Sequence, residues 1–241
     1  MNSIAKNIEV VKKRIENVCL RVARSSEEVK LLLATKTVPA ELIKQALIFE
    51  NNFIGENKIQ ELSQKRPLLK NENVEFHFIG HLQTNKIKEV LKYANCIQSL
   101  DRIELAQKLN QRLQFEGRSI DVLIQVNTSY EESKFGVSPE KALAFAKEVS
   151  QYDTLKVKGL MTIGIFNAEQ EKIRKCFKLL SNIRNQIAEL NLKNVEMNEL
   201  SMGMSGDLEI AIEEGATIVR VGTAIFGNRI YPDSYYWNEQ V

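Results

Sequence analysis

The chain has 241 residues, 44% of them hydrophobic and 27% charged, a balance that excludes wholesale disorder and allows a full core without disulfide or metal staples. Its 33 Lys and Arg against 31 Asp and Glu leave +2, interspersed along the chain, so no basic stripe marks a nucleic-acid surface. The longest apolar runs, such as Leu31 to Ala34, fall far short of the roughly 20 residues a membrane helix needs, and the polar start Met1 to Lys6 reads as no secretory signal.

The first element is a helix over residues 2 to 24. Ile4, Ile8, Val11, Ile15, Val18 and Val22 alternate spacings of four and three and fall on one face. Short β-rich runs then alternate with helical stretches. The runs are Lys30–Thr35, Asn52–Gly55, Glu75–Gly80, Cys96–Leu100, Ile120–Asn127, Leu155–Met161, Met197–Met202 and Thr217–Gly222. Between them, Pro39 suits a first helical turn, Asp101 with Glu104 suits a cap for a helix ending near Gly117, and Ser138-Pro139 suits N-cap plus first position. Gly215 suits the end of a helix over Asp207–Glu214. Strand–helix alternation of this kind predicts a parallel (β/α)8 TIM barrel, one domain over 1–241, with the extra N-terminal helix outside the barrel or across its mouth. A doubly wound open sheet is the alternative.

Cys19, Cys96 and Cys176 lie far apart with no C-x-x-C pair, and His77 and His81 are the only histidines, so neither a zinc site nor a redox motif is indicated. Free thiols fit a reducing compartment, and a cytoplasmic location is the expectation.

A barrel carries its chemistry at the C-terminal strand ends. Lys36 follows the apolar run Leu31 to Thr35. Partial desolvation there disfavours its charged form, and a neutral amine can form a Schiff base with a carbonyl; a lysine reaching out to solvent is the plain alternative. The stretch Met202-Gly203-Met204-Ser205-Gly206, before a helix with Asp207 near its start, and the turn Gly222-Thr223 follow strands seven and eight. That is where barrels hold phosphate, with Ser205 and Thr223 as hydroxyl donors, although two ordinary turns would read the same way. Arg220 lies in the apolar strand Ile218-Val219-Arg220-Val221 and needs a partner if it points inward, either a carboxylate or a ligand atom. Asn57 and Asn127 could contact a ring or cap the segments that follow. His81 could be a base or a loop histidine. Lys134 sits in a loop that could fold over the mouth or present it on the surface. Met161, Met202 and Met204 read as core or pocket lining. Only Glu56 and Asp207 are acidic among these ends.

A Schiff-base lysine beside a phosphate cradle suits pyridoxal 5′-phosphate, or a phosphosugar processed by an aldolase. The segments Ala34-Thr35-Lys36-Thr37-Val38-Pro39, Phe53-Ile54-Gly55-Glu56-Asn57, Phe76 through Lys86, Ser133-Lys134-Phe135-Gly136-Val137, Gly159-Leu160-Met161-Thr162, Leu200 through Asp207 and Val219 through Gly227 bear on the choice. With these the chain resembles the pyridoxal-phosphate homeostasis (YggS/PROSC) family over essentially its whole length. One departure is Ala34-Thr35, where the family more often has Val-Ser.

The resemblance implies the barrel of alanine-racemase-type (fold type III) proteins without their second, β-rich domain. It implies that Lys36 holds the cofactor as an internal aldimine, that Asn57 contacts the ring, that Ser205, Gly222 and Thr223 hold the phosphate, and that Arg220 faces the pyridine nitrogen. A permanent cation there disfavours a protonated, electron-withdrawing ring. The missing domain also removes a second acid/base group. Together these imply a carrier or buffer of pyridoxal 5′-phosphate in intracellular vitamin B6 homeostasis, without robust turnover. Apo-enzymes would be its recipients, a monomer its form, and neither membrane nor nucleic acid its partner. The competing readings are a racemase-like enzyme using Lys36 with His81, and the aldolase.

Overall fold

In the computed structural model the described residues are 3–49, 52–70, 72–165 and 168–227; both ends of the 1–241 domain reading, 1–2 and 228–241, lie outside them. Eight parallel strands close into a barrel: β1 (Lys30–Ala34), β2 (Phe53–Glu56), β3 (Glu75–Phe78), β4 (Cys96–Leu100), β5 (Ile120–Gln125), β6 (Leu155–Met161), β7 (Val195–Ser201) and β8 (Ile218–Val221). Closure comes where β8 returns to β1, pairing Lys30 with Ile218 and Leu32 with Arg220. The closed sheet excludes the doubly wound alternative.

The sequence-predicted strands fall within a few residues of those observed. Strand three stops two residues short of Gly80, yet Ile79 still donates to the Glu56 carbonyl at 2.9 Å, so the ladder outlasts the regular strand. Helices α1 (Ser3–Arg21), α2 (Ala40–Leu47), α3 (Ile59–Leu68), α4 (Ile87–Tyr93), α5 (Ile103–Glu116), α6 (Ala142–Val149), α7 (Gln170–Glu189), α8 (Leu208–Glu213) and α9 (Thr223–Phe226) surround the barrel. Gly117 (φ +64) and Gly215 (φ +97) follow α5 and α8 in the left-handed region, as expected.

Two cap expectations are corrected. Pro39 is the N-cap of α2 and lies one position before its first turn. Asp101 does not cap α5; Arg102 holds that position, and the Asp101 carboxylate accepts instead from the Arg102 guanidinium at 2.7 Å. A charge-assisted bond has outcompeted a backbone N–H.

Strand alternation produces two apolar layers. Leu31, Leu33, Ile54, Phe76 and Phe78 face the helices, whereas Leu32, Cys96, Leu123, Met161 and Ile218 pack inside the barrel. Helix α1 buries Ile4, Ile8, Val11, Ile15 and Val18 against α2, α8 and α9. It therefore lies outside the barrel and not across the mouth. Asn7 Nδ2 donates to the Ile225 carbonyl (2.9 Å), and Arg14 donates to Glu209 (2.6 and 2.8 Å) and to the Ser205 carbonyl (3.0 Å). The helix is thus bolted to the loop that follows strand seven and to α9 after strand eight. No helix among the described residues is long and apolar enough to cross a membrane.

Candidate functional site

Lys36 leaves the end of β1 with 8% of its surface exposed, so the sequence expectation of desolvation holds. Its neighbours are pinned from outside the barrel. Glu56 shares the outward face of β2 with Ile54 and is fully buried. Its Oε1 accepts from the Thr35 hydroxyl at 2.5 Å and from Lys65 Nζ at 2.8 Å. Lys65, reaching up from α3, also donates to the Thr35 carbonyl (2.8 Å) and to Glu61 Oε2 (2.7 Å). Glu61 Oε2 accepts the Thr37 N–H at 2.6 Å, and Thr37 sits at φ +65, a left-handed conformation that costs a β-branched residue energy. A buried knot of Glu56, Lys65 and Glu61 therefore fixes the backbone on both sides of Lys36. The position-35 departure costs nothing chemically, because threonine and serine both bring the hydroxyl that Glu56 uses.

Burial pushes the Glu56 carboxyl up from 4.5 to about 7, against the pull of Lys65. Its Oε2 has no hydrogen-bond partner. The knot occupies the layer between strands and helices, so Glu56 does not share the barrel interior with a ligand at Lys36. That removes one of the two acidic candidates an aldolase would need.

The second, Asp207, is the N-cap residue of α8, but its carboxylate accepts the Met204 N–H (2.5 Å) and braces the preceding turn instead of the helix start. Burial raises its carboxyl above the ordinary value, opposed by the Met204 N–H and by Arg220.

The residues predicted for the phosphate converge. Ser205 Oγ accepts from the Thr223 hydroxyl at 3.1 Å and from the Ala224 N–H at 3.3 Å, joining the loop after β7 to the first turn of α9. Gly222 immediately precedes α9, and a Cβ there would stand 2.9 Å from the carbonyl of Ala34, two residues before Lys36. On the opposite side, a Cβ at Gly80 would stand 2.0 Å from the Asn57 carbonyl, so the β3 loop can close onto Asn57 only through glycine. Asn57 Oδ1 is buried with no hydrogen-bond partner. A buried carbonyl of this kind calls for a donor, and a glycine-lined turn with a seryl hydroxyl suits an anion.

Arg220 is 6% exposed and points inward. Of the partners weighed from the sequence, a carboxylate is not among the groups it hydrogen-bonds. Nη1 donates to Ser201 Oγ (2.8 Å) and Nη2 to the Thr162 carbonyl (2.7 Å), while Asp207 acts on it only through its charge. Burial pulls it down to about 10, which leaves it cationic at neutral pH.

Three further candidates make contacts within the mouth loops. Asn127 Nδ2 donates to the carbonyls of Glu131 (2.9 Å) and Lys134 (3.2 Å), so it braces the loop that follows. Lys134 is not a plain surface lysine: it pairs with Glu131 and donates to the Gly164 carbonyl at 3.0 Å, tying the β5 loop to the β6 loop. His81 stacks on Phe135 of that same loop, ring centroids 3.8 Å apart and 16° between planes. The loop thus folds toward the mouth from two sides. Met161 is in the inner layer and Met202 in the outer one, so both are core.

The sequence reading gave no role to Lys65, Glu61 and Arg14, or to a row of polar residues inside the barrel: Glu75, His77, Gln98 and Ser201. A signal for the row existed. Parallel strands buried on both faces should be almost wholly apolar, and these residues interrupt three such strands, β3, β4 and β7. All three cysteines are buried as free thiols, and no group of His, Cys, Asp or Glu among the described residues could hold a metal ion.

The alanine racemase N-terminal domain family matches residues 2–230. Among curated relatives, the pyridoxal phosphate homeostasis protein of Aquifex aeolicus is 42% identical over 221 residues, covering 92% of this chain and 96% of its own. The Escherichia coli K12 protein of the same name is 37% identical, covering 96% and 99%. Among solved structures, PipY of Synechococcus elongatus with pyridoxal phosphate bound superposes with a TM-score of 0.78 at 28% identity, covering 90% of this chain and all (100%) of that one. Alanine racemase of Clostridium difficile superposes with a TM-score of 0.72 at 16% identity, and the match covers 97% of this chain but 58% of the racemase. That likeness is one of fold.

Proposed function

The chain belongs to the pyridoxal phosphate homeostasis protein family, and from that premise we propose that it binds pyridoxal 5′-phosphate as a carrier or buffer, holding it as a Schiff base on Lys36 and releasing it to apo-enzymes. Bound there, the cofactor supplies a reactive aldehyde and, in enzymes, an electron sink. Every other contribution comes from the chain. Lys36 offers a buried amine at the end of β1, the nucleophile a Schiff base needs. Asn57 turns an unpartnered carbonyl oxygen toward a donor. Ser205, Gly222 and Thr223 receive the phosphate, steadied from behind by Arg14. Arg220 directs a permanent cation at the pyridine nitrogen and discourages its protonation.

One observation carries the choice of carrier over racemase. Among the described residues, the two acidic side chains at the strand ends are committed to structure. Glu56 is tied to Lys65 and Thr35 on the far side of the strand and Asp207 to the Met204 N–H, while the His81 ring stacks on Phe135 with its Nδ1 3.3 Å from the Asp101 carboxylate. Removing and returning an α-proton on opposite faces needs two acid/base groups.

The deciding experiment follows two signals from loaded protein: loss of optical purity in a panel of amino acids, and activation of an apo-enzyme that requires the cofactor. Activation without racemisation above a cofactor-only control is the expected result. Robust racemisation would replace the carrier reading with the enzyme one.

A further inference from the structure

Below Arg220 a chain of buried side chains crosses the barrel interior to its floor. Ser201 Oγ, which accepts from Arg220 Nη1 at 2.8 Å, donates to Gln98 Oε1 at 2.6 Å. Gln98 Nε2 lies 2.7 Å from His77 Nδ1, and His77 Nε2 lies 2.9 Å from Glu75 Oε1. Ser201 and Gln98 are fully buried, His77 is 5% exposed, and Glu75 is the partly exposed first residue of β3 at the floor.

Donor and acceptor counting fixes each role. A serine hydroxyl has one proton, and it goes to Gln98, so the oxygen presented to Arg220 is purely an acceptor. The Gln98 amide nitrogen can only donate, so His77 Nδ1 must accept. His77 then carries its proton on Nε2 and gives it to the Glu75 carboxylate. From guanidinium to carboxylate every bond runs in one direction, with the negative end of each dipole toward Arg220. Around this chain the interior is filled by Leu32, Leu123, Met161 and Ile218, so an apolar filling is available to the fold. Burying polar groups without gain is costly, and a fully satisfied chain is worth most where it imposes one geometry.

We propose that Ser201, Gln98 and His77 are positioning residues that aim the Arg220 guanidinium at the ring nitrogen of the bound cofactor. The inference rests on the reading that Arg220 faces that nitrogen. Each link restrains the next: the Ser201 rotamer depends on Gln98, and the Gln98 amide orientation depends on the His77 tautomer.

The test compares dissociation constants for pyridoxal 5′-phosphate and for its carbocyclic analogue, in which C–H replaces the ring nitrogen, on the full chain. Gln98→Met keeps the volume and removes both polar ends. Ser201→Ala removes one hydroxyl, leaves the β7 backbone in place, and serves where Gln98→Met fails to fold. Either variant is expected to weaken pyridoxal 5′-phosphate about tenfold while leaving the analogue within about twofold, the scale of one hydrogen bond to a charged group. Equal weakening of both ligands means a general structural role and overturns the proposal, as does no weakening of either. Arg220→Met separates the two levels: if it too fails to discriminate between the ligands, the ring-nitrogen reading itself is wrong. If Arg220→Met discriminates and the other two variants do not, only the positioning role falls.

Discussion

Two buried polar clusters flank β1, and they solve the same problem differently. The outer knot of Glu56, Lys65 and Glu61 is charged, dense, and leaves Glu56 Oε2 without a partner. The inner chain from Arg220 to Glu75 places charge only at its ends, with three neutral groups between them. The knot clamps backbone: it grips the peptide groups on either side of Lys36. The chain aims a side chain: it leaves the backbone to the barrel ladder and orients one guanidinium. A strand end needs a strong clamp because its pairing is running out. A cation inside a barrel needs direction more than strength.

The largest expected effect follows from breaking the knot. Lys65→Met removes the cation beside Glu56 and should cost about 3–5 kcal/mol of unfolding free energy in urea titration at a pH above the Glu56 midpoint of about 7, where the carboxyl is ionised in the wild type. The double variant Lys65→Met/Glu56→Leu should recover most of that loss. A double variant no more stable than the single one would mean the knot stabilises through packing and not through charge.

The second effect is a pH dependence particular to the knot. Burial keeps Glu56 protonated to about 7 in the folded chain, against 4.5 ordinarily, so between those values the folded state binds the extra proton. Its contribution is complete below 4.5 and lost as pH rises through about 7, by no more than about 3 kcal/mol. Glu56→Gln should flatten that part of the stability–pH curve. An unchanged slope would assign it to another group.

The inner chain should respond more gently. Ser201→Ala leaves the Gln98 carbonyl and one Arg220 N–H unpaired and should cost about 1–3 kcal/mol in the same titration, less than Lys65→Met. A larger loss than at Lys65 would reverse the comparison. The smallest effect belongs to Arg14, which is partly exposed. Arg14→Met should cost about 1 kcal/mol or less in stability, yet weaken pyridoxal 5′-phosphate more than pyridoxal, which lacks the phosphate that the Ser205 loop receives.

This contrast also explains what could be read from the sequence. The barrel was legible because strand runs and helix faces recur locally, each with its own period and terminator. Lys36, Arg220, Gly222 and Thr223 stood out as candidates because they lie at strand ends or within two residues of one, where barrel chemistry is built, and Ser205 because it sits in the loop four residues past the end of β7. The inner chain was not, because its members come from β3, β4, β7 and β8 and meet only after closure; polar residues in doubly buried strands were the available clue. The knot was hidden because Lys65 reads as one more charge on the polar face of a helix until its partner strand is placed. Asp101 was misread because Arg102, the next residue, takes its carboxylate, a competition that cap statistics do not contain. The placement of α1 outside the barrel depended on Arg14 and Asn7 meeting loops some two hundred residues away.

The account stands on Lys36 as the attachment point. The most direct measurement loads the wild-type chain with pyridoxal 5′-phosphate, reduces it with borohydride, and maps the labelled peptide by mass spectrometry. The account predicts an absorption band of an imine before reduction and a single label on Lys36 after it. A label carried chiefly by another lysine, or no band and no label at all, would contradict it.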